Sequence, residues 1–203
     1  MARNEETAAR LAVPMARIYL IRHARPSTSW GGDDDDPGLD DQGWAQARAA
    51  AGALLALPEL VRPTQVAASP LRRCRETAAP FAEAIAAEVS IVPAVGEIPT
   101  PAGLDPAERG PWLRLAFSGS WRDVEGDLDY EAWRLGVVEA VAARPGAAIF
   151  SHFVAINAVV TALQGLERMI VLRPDHASIT TLELGDDGLR VVELGREAAT
   201  QVL

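Results

Sequence analysis

Residues 17–22, Arg-Ile-Tyr-Leu-Ile-Arg, form a short apolar run rich in strand-forming side chains, and the run stops abruptly at polar residues and Pro26. Such a run predicts a buried strand. Residues 23–40 show no period and carry Pro26, Gly31, Gly32, Pro37 and Gly38, so a long loop follows. A loop of that length inside a compact domain usually serves function. Apolar residues return at helical spacing over residues 41–57, where Pro58 ends them. Residues 65–69 predict a second strand, residues 71–87 a helix beyond Pro70, and residues 89–92 a third strand. Strand, helix, strand, helix, strand in that order predicts a mainly parallel sheet with helices on both faces.

The rhythm breaks over residues 93–111, where Pro93, Pro99, Pro101, Pro106 and Pro111 fall close together. The aromatic residues Trp112, Phe117, Trp121, Tyr130 and Trp133 follow, and the spacing predicts an inserted, partly helical cap at about 97–135. These aromatics suit either a substrate pocket or the cap's own small core. A helix over 127–144 ends at Pro145-Gly146, and a strand at 147–151 leads into a helix at 153–166. Strands at 179–184 and 189–194 flank Gly185-Asp186-Asp187-Gly188 as a hairpin at the sheet edge. The expected fold is a three-layer α/β/α sandwich with a mostly parallel central sheet. It forms one domain over 16–203, preceded by a loose extension at 1–15.

Composition narrows the chemistry. The chain of 203 residues is 49% apolar and 23% charged, ordinary values for a globular protein. Its net charge is −9, which argues against nucleic acid or an anionic membrane as partner. All 19 basic residues are Arg. Without Lys there is neither Schiff-base chemistry nor a Walker phosphate-binding lysine, so any phosphate must be held by Arg, His and backbone N–H groups. The single Cys74 excludes an internal disulfide and a multi-cysteine zinc site. It cannot open a Cys-x5-Arg loop either, because Pro80 stands at the arginine position; a buried small residue on a helix is its reading. No apolar stretch is long enough to span a membrane, and acidic residues near the start argue against a signal peptide. A cytoplasmic protein is expected.

Two of the three histidines share one context. His23 closes the first predicted strand and His152 closes the strand at 147–151, so both point to the crevice beyond the strands' carboxyl ends, where open α/β sheets bind ligands. Ser69-Pro-Leu-Arg-Arg73 hands a strand over to a helix N-terminus, a natural anion site. A lone His more often packs and hydrogen-bonds in the interior. Two at strand ends, with Arg22, Arg72, Arg73 and Arg75 nearby, favour phosphate chemistry instead, since the Arg fork grips two oxygens at once. Asp33–Asp36 before Pro37-Gly38 reads as a solvated turn rather than a cation site, and His176 as a surface or hydrogen-bonded His.

Taken together, the chain resembles the histidine phosphatase superfamily, also called phosphoglycerate mutase-like. Leu20-Ile21-Arg22-His23-Ala24 is similar to the Arg-His-Gly signature that carries the nucleophile. Leu39-Asp-Asp-Gln-Gly43-Trp-Ala-Gln46-Ala47 is similar to the start of the family's first helix. Ser69-Pro-Leu-Arg-Arg73-Cys-Arg-Glu-Thr77-Ala78 resembles the segment with the second phosphate-binding Arg, and Phe150-Ser151-His152 the segment with the second histidine. The departures are Ala24 for Gly, Arg25-Pro26 for Glu-Ser/Thr, and the absence of a clear counterpart for a downstream Asn, with Ser29 the positional candidate. Phe153 stands where another branch of the family carries Asp, which excludes that branch.

The resemblance implies a metal-independent phosphomonoesterase without cofactor, acting through phospho-His23. Arg22, Arg73 and His152 would hold the phosphoryl oxygens, and Glu97, whose Ile-Pro-Thr-Pro surroundings depart from the family pattern, would protonate the leaving group. Arg25, Ser29 and Phe153 are the substrate-binding candidates, and the expected ligands are a small phosphorylated substrate and inorganic phosphate. Phosphoryl transfer within a substrate, as in a mutase, and a non-catalytic phosphate-binding module are the rival readings.

Overall fold

The computed structural model describes residues 15–28 and 36–199. The expected extension at 1–15 lies almost wholly outside the described residues, as do Ser29 and most of the acidic run. Among the described residues the chain runs β1 (Ala16–Arg22), α1 (Asp41–Leu55), β2 (Gln65–Ala68), α2 (Arg72–Ala84) and β3 (Val89–Ile91). Then come α3 (Arg109–Ser118), α4 (Tyr130–Ala142), β4 (Ala147–Ser151), α5 (Phe153–Leu163), β5 (Ile179–Gly185) and β6 (Gly188–Glu193). The strands form a six-stranded sheet in the order β3-β2-β4-β1-β5-β6. β3, β2, β4 and β1 are mutually parallel, while β5 runs antiparallel to β1 and forms a hairpin with β6. The sheet is therefore mixed and mostly parallel, as the element order predicts.

Side-chain alternation along the central strands builds the three layers, because successive residues of a strand point to opposite faces. Tyr19 and Ile21 of β1, Val66 and Ala68 of β2, and Ala148 and Phe150 of β4 pack with Ala51 and Leu54 of α1 and with Cys74, Ala78 and Phe81 of α2. Their neighbours Ile18, Leu20, Ala67 and Ile149 face the other way, into a larger cluster with Val137 and Val141 of α4 and the α5 side chains. Burial on both faces explains why these strands read as continuous apolar runs rather than as alternating ones.

Between β3 and α4 the chain forms single 3-10 turns at Pro93–Val95, Pro106–Glu108 and Trp121–Asp123 around α3. Its aromatics join the larger core cluster: Trp121 is fully buried, its indole N–H donates to Thr161 Oγ1 at 2.9 Å, and Phe117 meets Phe153 at 5.6 Å between ring centroids. They thus pack into the main core of the domain and do not form a separate small core of the cap. No helix among the described residues is long and apolar enough to cross a membrane.

Candidate active site

Because β1 and β4 are parallel neighbours with Arg22 beside Ser151, the residues that follow them emerge together at one edge of the sheet. His23 N–H donates to the Ser151 carbonyl at 2.9 Å, extending the ladder by one residue and fixing the backbone of the first histidine against that of the second. The two imidazoles lie with ring centroids 5.3 Å apart. β2, on the other side of β4, delivers Ser69 to the same edge, with its N–H on the Phe150 carbonyl at 2.9 Å, and α2 then places Arg73 in its first turn. Glu97 arrives from β3 through the turn at Pro93–Val95. Arg22, His23, Arg73, His152 and Glu97 thus converge from four strands.

The hydrogen bonds assign tautomers. His23 Nδ1 is 2.9 Å from the Ala24 carbonyl oxygen, which only accepts, so Nδ1 carries the proton and Nε2 keeps its lone pair. Arg73 Nη2, which only donates, lies 3.4 Å from His152 Nδ1, while His152 Nε2 is 2.7 Å from Ser69 Oγ. His152 therefore accepts at Nδ1 and donates at Nε2 when neutral. Cys74 Sγ lies 3.3 Å from the same Nε2, behind the ring and fully buried, as expected for a small helix residue.

Burial sets the electrostatics. Arg22, His23, Arg73 and His152 are 6%, 2%, 7% and 0% exposed, so each charge here is held away from water. Burial first, then His152 and the nearby Arg22 and Arg73, drives His23 well below the ordinary imidazole range. The same burial, with Arg73, Arg22 and Arg109, depresses His152. Burial also raises Glu97, outweighing the attraction of Arg73, and lowers Arg22 to about 10. Glu97 Oε2 stands 3.7 Å from His152 Nδ1, too far for a hydrogen bond, and beside a neutral imidazole the contact is not an ion pair.

Three buried polar atoms at this edge, Arg22 Nε, Arg73 Nε and Glu97 Oε2, have no hydrogen-bond partner among the described residues. Leaving a buried donor or acceptor unmade costs on the order of 1–3 kcal/mol, and such atoms call for an explanation. Two guanidinium N–H groups and one carboxyl oxygen left open beside two neutral imidazoles fit a phosphate-sized anion and an acid at its rim.

The remaining candidates are dispersed. Arg25 is exposed; its Nε pairs with Asp40 Oδ2 at 2.6 Å and its backbone N–H donates to Gln46 Oε1 at 2.9 Å, so it braces the loop against α1. Phe153 is buried under Arg22, whose guanidinium carbon stands 5.4 Å from the ring centroid. Ser29 lies outside the described residues. Of the acidic run, Asp36 accepts from the Arg72 backbone N–H at 2.7 Å, at the start of α2. Sequence reasoning missed Thr77, which accepts the Ala24 N–H at 2.9 Å and so holds the residue after the first histidine. His176, read as a surface or hydrogen-bonded His, is half-buried with its ring 5.8 Å from that of His23.

Comparison with known proteins bears on the fold and the family. No curated protein matches the chain significantly. Among solved structures, the native mycobacterial glucosyl-3-phosphoglycerate phosphatase is 24% identical, with 91% of this chain and 100% of that chain covered and a TM-score of 0.68. The same mycobacterial phosphatase in complex with inorganic phosphate is 24% identical, with 92% and 100% covered and a TM-score of 0.64. A mutant phosphoserine phosphatase from Entamoeba histolytica, in complex with phosphoserine, is 18% identical, with 88% and 95% covered and a TM-score of 0.67. These likenesses are likenesses of fold. The sequence itself matches the profile of the histidine phosphatase superfamily (branch 1) over residues 18–197, which takes in every element from β1 to β6 and all the converging side chains. With that match spanning most of its length, the chain belongs to the histidine phosphatase superfamily.

Proposed function

We propose that the protein hydrolyses small phosphomonoesters through a phosphohistidine on His23. The observation that carries this reading is the tautomer of His23: with Nδ1 bonded to the Ala24 carbonyl, Nε2 keeps its lone pair on a ring that feels the charges of Arg22 and Arg73, each with an unpartnered buried Nε. Nε2 attacks phosphorus, the N–P bond forms, and the P–O ester bond breaks in line. The leaving oxygen takes its electron pair and a proton from Glu97, whose hold on that proton burial strengthens. Water then attacks the phosphorus of phospho-His23, giving its proton to the Glu97 carboxylate; the new P–O bond forms as the N–P bond breaks, its electron pair returns to Nε2, and phosphate departs.

Arg22 and Arg73 supply positive charge where the transferring oxygens become more negative. A bound dianion also reverses the balance of charge around His152 and favours a proton on Nδ1, which then donates to a phosphoryl oxygen. Two arginines and an imidazolium provide the charge that phosphoryl transfer needs, and this chain's residues require no metal for it. The solved relatives' names, a glucosyl-3-phosphoglycerate phosphatase and a phosphoserine phosphatase, support a small organic phosphate as substrate and inorganic phosphate as product.

The test is turnover of labelled nitrophenyl phosphate in the presence of a chelator, with quenching in alkaline denaturant to trap a base-stable, acid-labile phosphorylated protein. The wild type is expected to release phosphate and to carry label on His23. His23→Ala should lose both while its circular dichroism stays unchanged. A His23→Ala protein that still turns over at the wild-type rate would overturn the assignment.

A further inference from the structure

β1 lies between β4 and β5 in the sheet, and β5 runs antiparallel to it. The start of β5 therefore comes to the same edge as the ends of β1 and β4. Three adjacent strands each bring a histidine there: His152 after β4, His23 after β1, and His176 just before β5. His23 is the middle ring, with His152 at 5.3 Å and 59° on one side and His176 at 5.8 Å and 52° on the other.

The turn that carries His176 is fastened to the nucleophile's own backbone. The Ala177 N–H donates to the carbonyls of Arg22 at 3.1 Å and His23 at 3.4 Å, and Arg22 N–H donates to the Ser178 carbonyl at 3.2 Å. Arg22 Nη1 donates to the Pro174 carbonyl at 2.8 Å, so the same turn aims the phosphate-facing guanidinium. Asp175 secures the other end: Oδ1 accepts the His176 N–H at 2.8 Å and Oδ2 pairs with Arg196 at 2.9 Å. Ala177 sits at φ 56°, in the left-handed region that a residue with a Cβ seldom adopts. Such strain persists where the surroundings over-determine a conformation, commonly at functional sites.

We propose that His176 is a positioning residue for the nucleophile, a third imidazole that packs beside the His23 ring from the β5 side, as His152 does from the β4 side, and helps hold Nε2 on the line of attack. Beyond its covalent link to the backbone, the His23 ring is held by one hydrogen bond, from Nδ1 to the Ala24 carbonyl. The two neighbouring rings restrict its remaining torsional freedom. Burial, with Arg22 adding to it, lowers His176 to about 4, so His176 stays uncharged at neutral pH and adds no positive charge beside a ring that must remain a neutral nucleophile.

This role rests on His23 being the nucleophile, and its test separates the two ideas. His176→Ala is expected to lower kcat roughly 10–10²-fold, the scale of a small misplacement of a reacting group, by the same factor on nitrophenyl and alkyl phosphates. Inhibition by inorganic phosphate should stay as in the wild type, because Arg22 and Arg73 remain. His176→Phe restores a ring without titratable nitrogen and should recover most of kcat. In nitrogen-labelled protein, the His23 imidazole should show a single Nδ1-protonated tautomer in the wild type and an averaged pair of tautomers in His176→Ala.

An unchanged kcat in His176→Ala overturns the proposal, and so does a loss of kcat accompanied by equally weakened phosphate inhibition, which would make His176 a phosphate ligand. If His176→Ala does not fold, His176→Asn, shorter but polar, takes its place under the same expectations. Should the wild type lack phosphatase activity altogether, the reading of His23 fails, while the tautomer measurement still decides whether His176 positions that ring.

Discussion

At the scale of single residues, Glu97 occupies the most contradictory environment in the molecule. Its carboxyl is buried, Oε2 has no hydrogen-bond partner among the described residues, and Oε1 accepts only the Ile98 N–H, at 3.1 Å. Burial raises it even with Arg73, Arg109 and Arg22 acting in the opposite direction. A carboxyl whose proton affinity burial raises, set beside arginines, suits delivery of a proton to a group bound among them, the role proposed above. Glu97→Gln preserves the shape and removes that proton. An alkyl alcohol leaves only when protonated, whereas nitrophenolate leaves as an anion. The variant should therefore lose about 10²–10⁴-fold in kcat on an alkyl phosphate and far less on nitrophenyl phosphate. Equal losses on the two substrates would mean that Glu97 orients substrate and does not transfer a proton.

Among elements, α1 and α2 hold the nucleophile's loop in place, and the residues of their family-like motifs acquire physical reasons. Gly43 in the first turn of α1 faces the Arg25 carbonyl so closely that an added Cβ would lie 2.1 Å from that oxygen. Gln46 Oε1 accepts the Arg25 N–H, Thr77 Oγ1 of α2 accepts the Ala24 N–H, and Glu76 Oε2 accepts the Leu39 N–H at 2.6 Å. Ala24, where the family usually has Gly, puts its methyl into a small buried cluster with Leu39 and Ala47. Asp40 caps α1 by accepting the Gly43 N–H at 2.7 Å while pairing with Arg25. Gly43→Ala should force the loop away from α1. Overpacking of this kind costs about 1–3 kcal/mol, and displacing Ala24 also releases the carbonyl that locks the His23 tautomer. The expected result is a lower urea midpoint together with a lower kcat; a variant with wild-type values for both would show that the loop is not braced there.

Over the whole molecule, what the sequence revealed follows the range of the interactions involved. Strand and helix positions were legible because β1, β2 and β4 are apolar on both faces and Pro and Gly punctuate their ends. The convergence of Arg22, His23, Arg73 and His152 was legible because parallel strands put their carboxyl ends on one edge. The place of His176 was not, since it depends on β5 pairing antiparallel with β1 across more than a hundred residues. Nor was the pairing of Arg25 with Asp40, two exposed side chains whose contact no periodicity encodes. Folding lowers the proton affinity of His23, His152 and His176 and raises that of Glu97, so the stability of the whole fold depends on pH. The unfolded histidines bind protons below about 6.5 while the folded ones do not, so their contribution to stability is complete above that pH and is lost as pH falls. For His176 the loss runs from the ordinary value of 6.5 down to about 4. Glu97 has the opposite sign: the folded state holds its proton more tightly, so its contribution is complete below the ordinary value of 4.5 and is lost as pH rises through the folded value. Unfolding free energies from urea titrations at several pH values should show the wild type weakening on acidification below 6.5 and His176→Asn weakening less steeply. Glu97→Gln should gain on the wild type as pH rises from 4.5. Any constant offset between that variant and the wild type reflects packing and hydrogen bonding of the neutral side chain, whereas the pH-dependent part reports the ionisation of Glu97, burial and arginine attraction together; a difference that does not vary with pH would mean that folding leaves the Glu97 carboxyl unshifted.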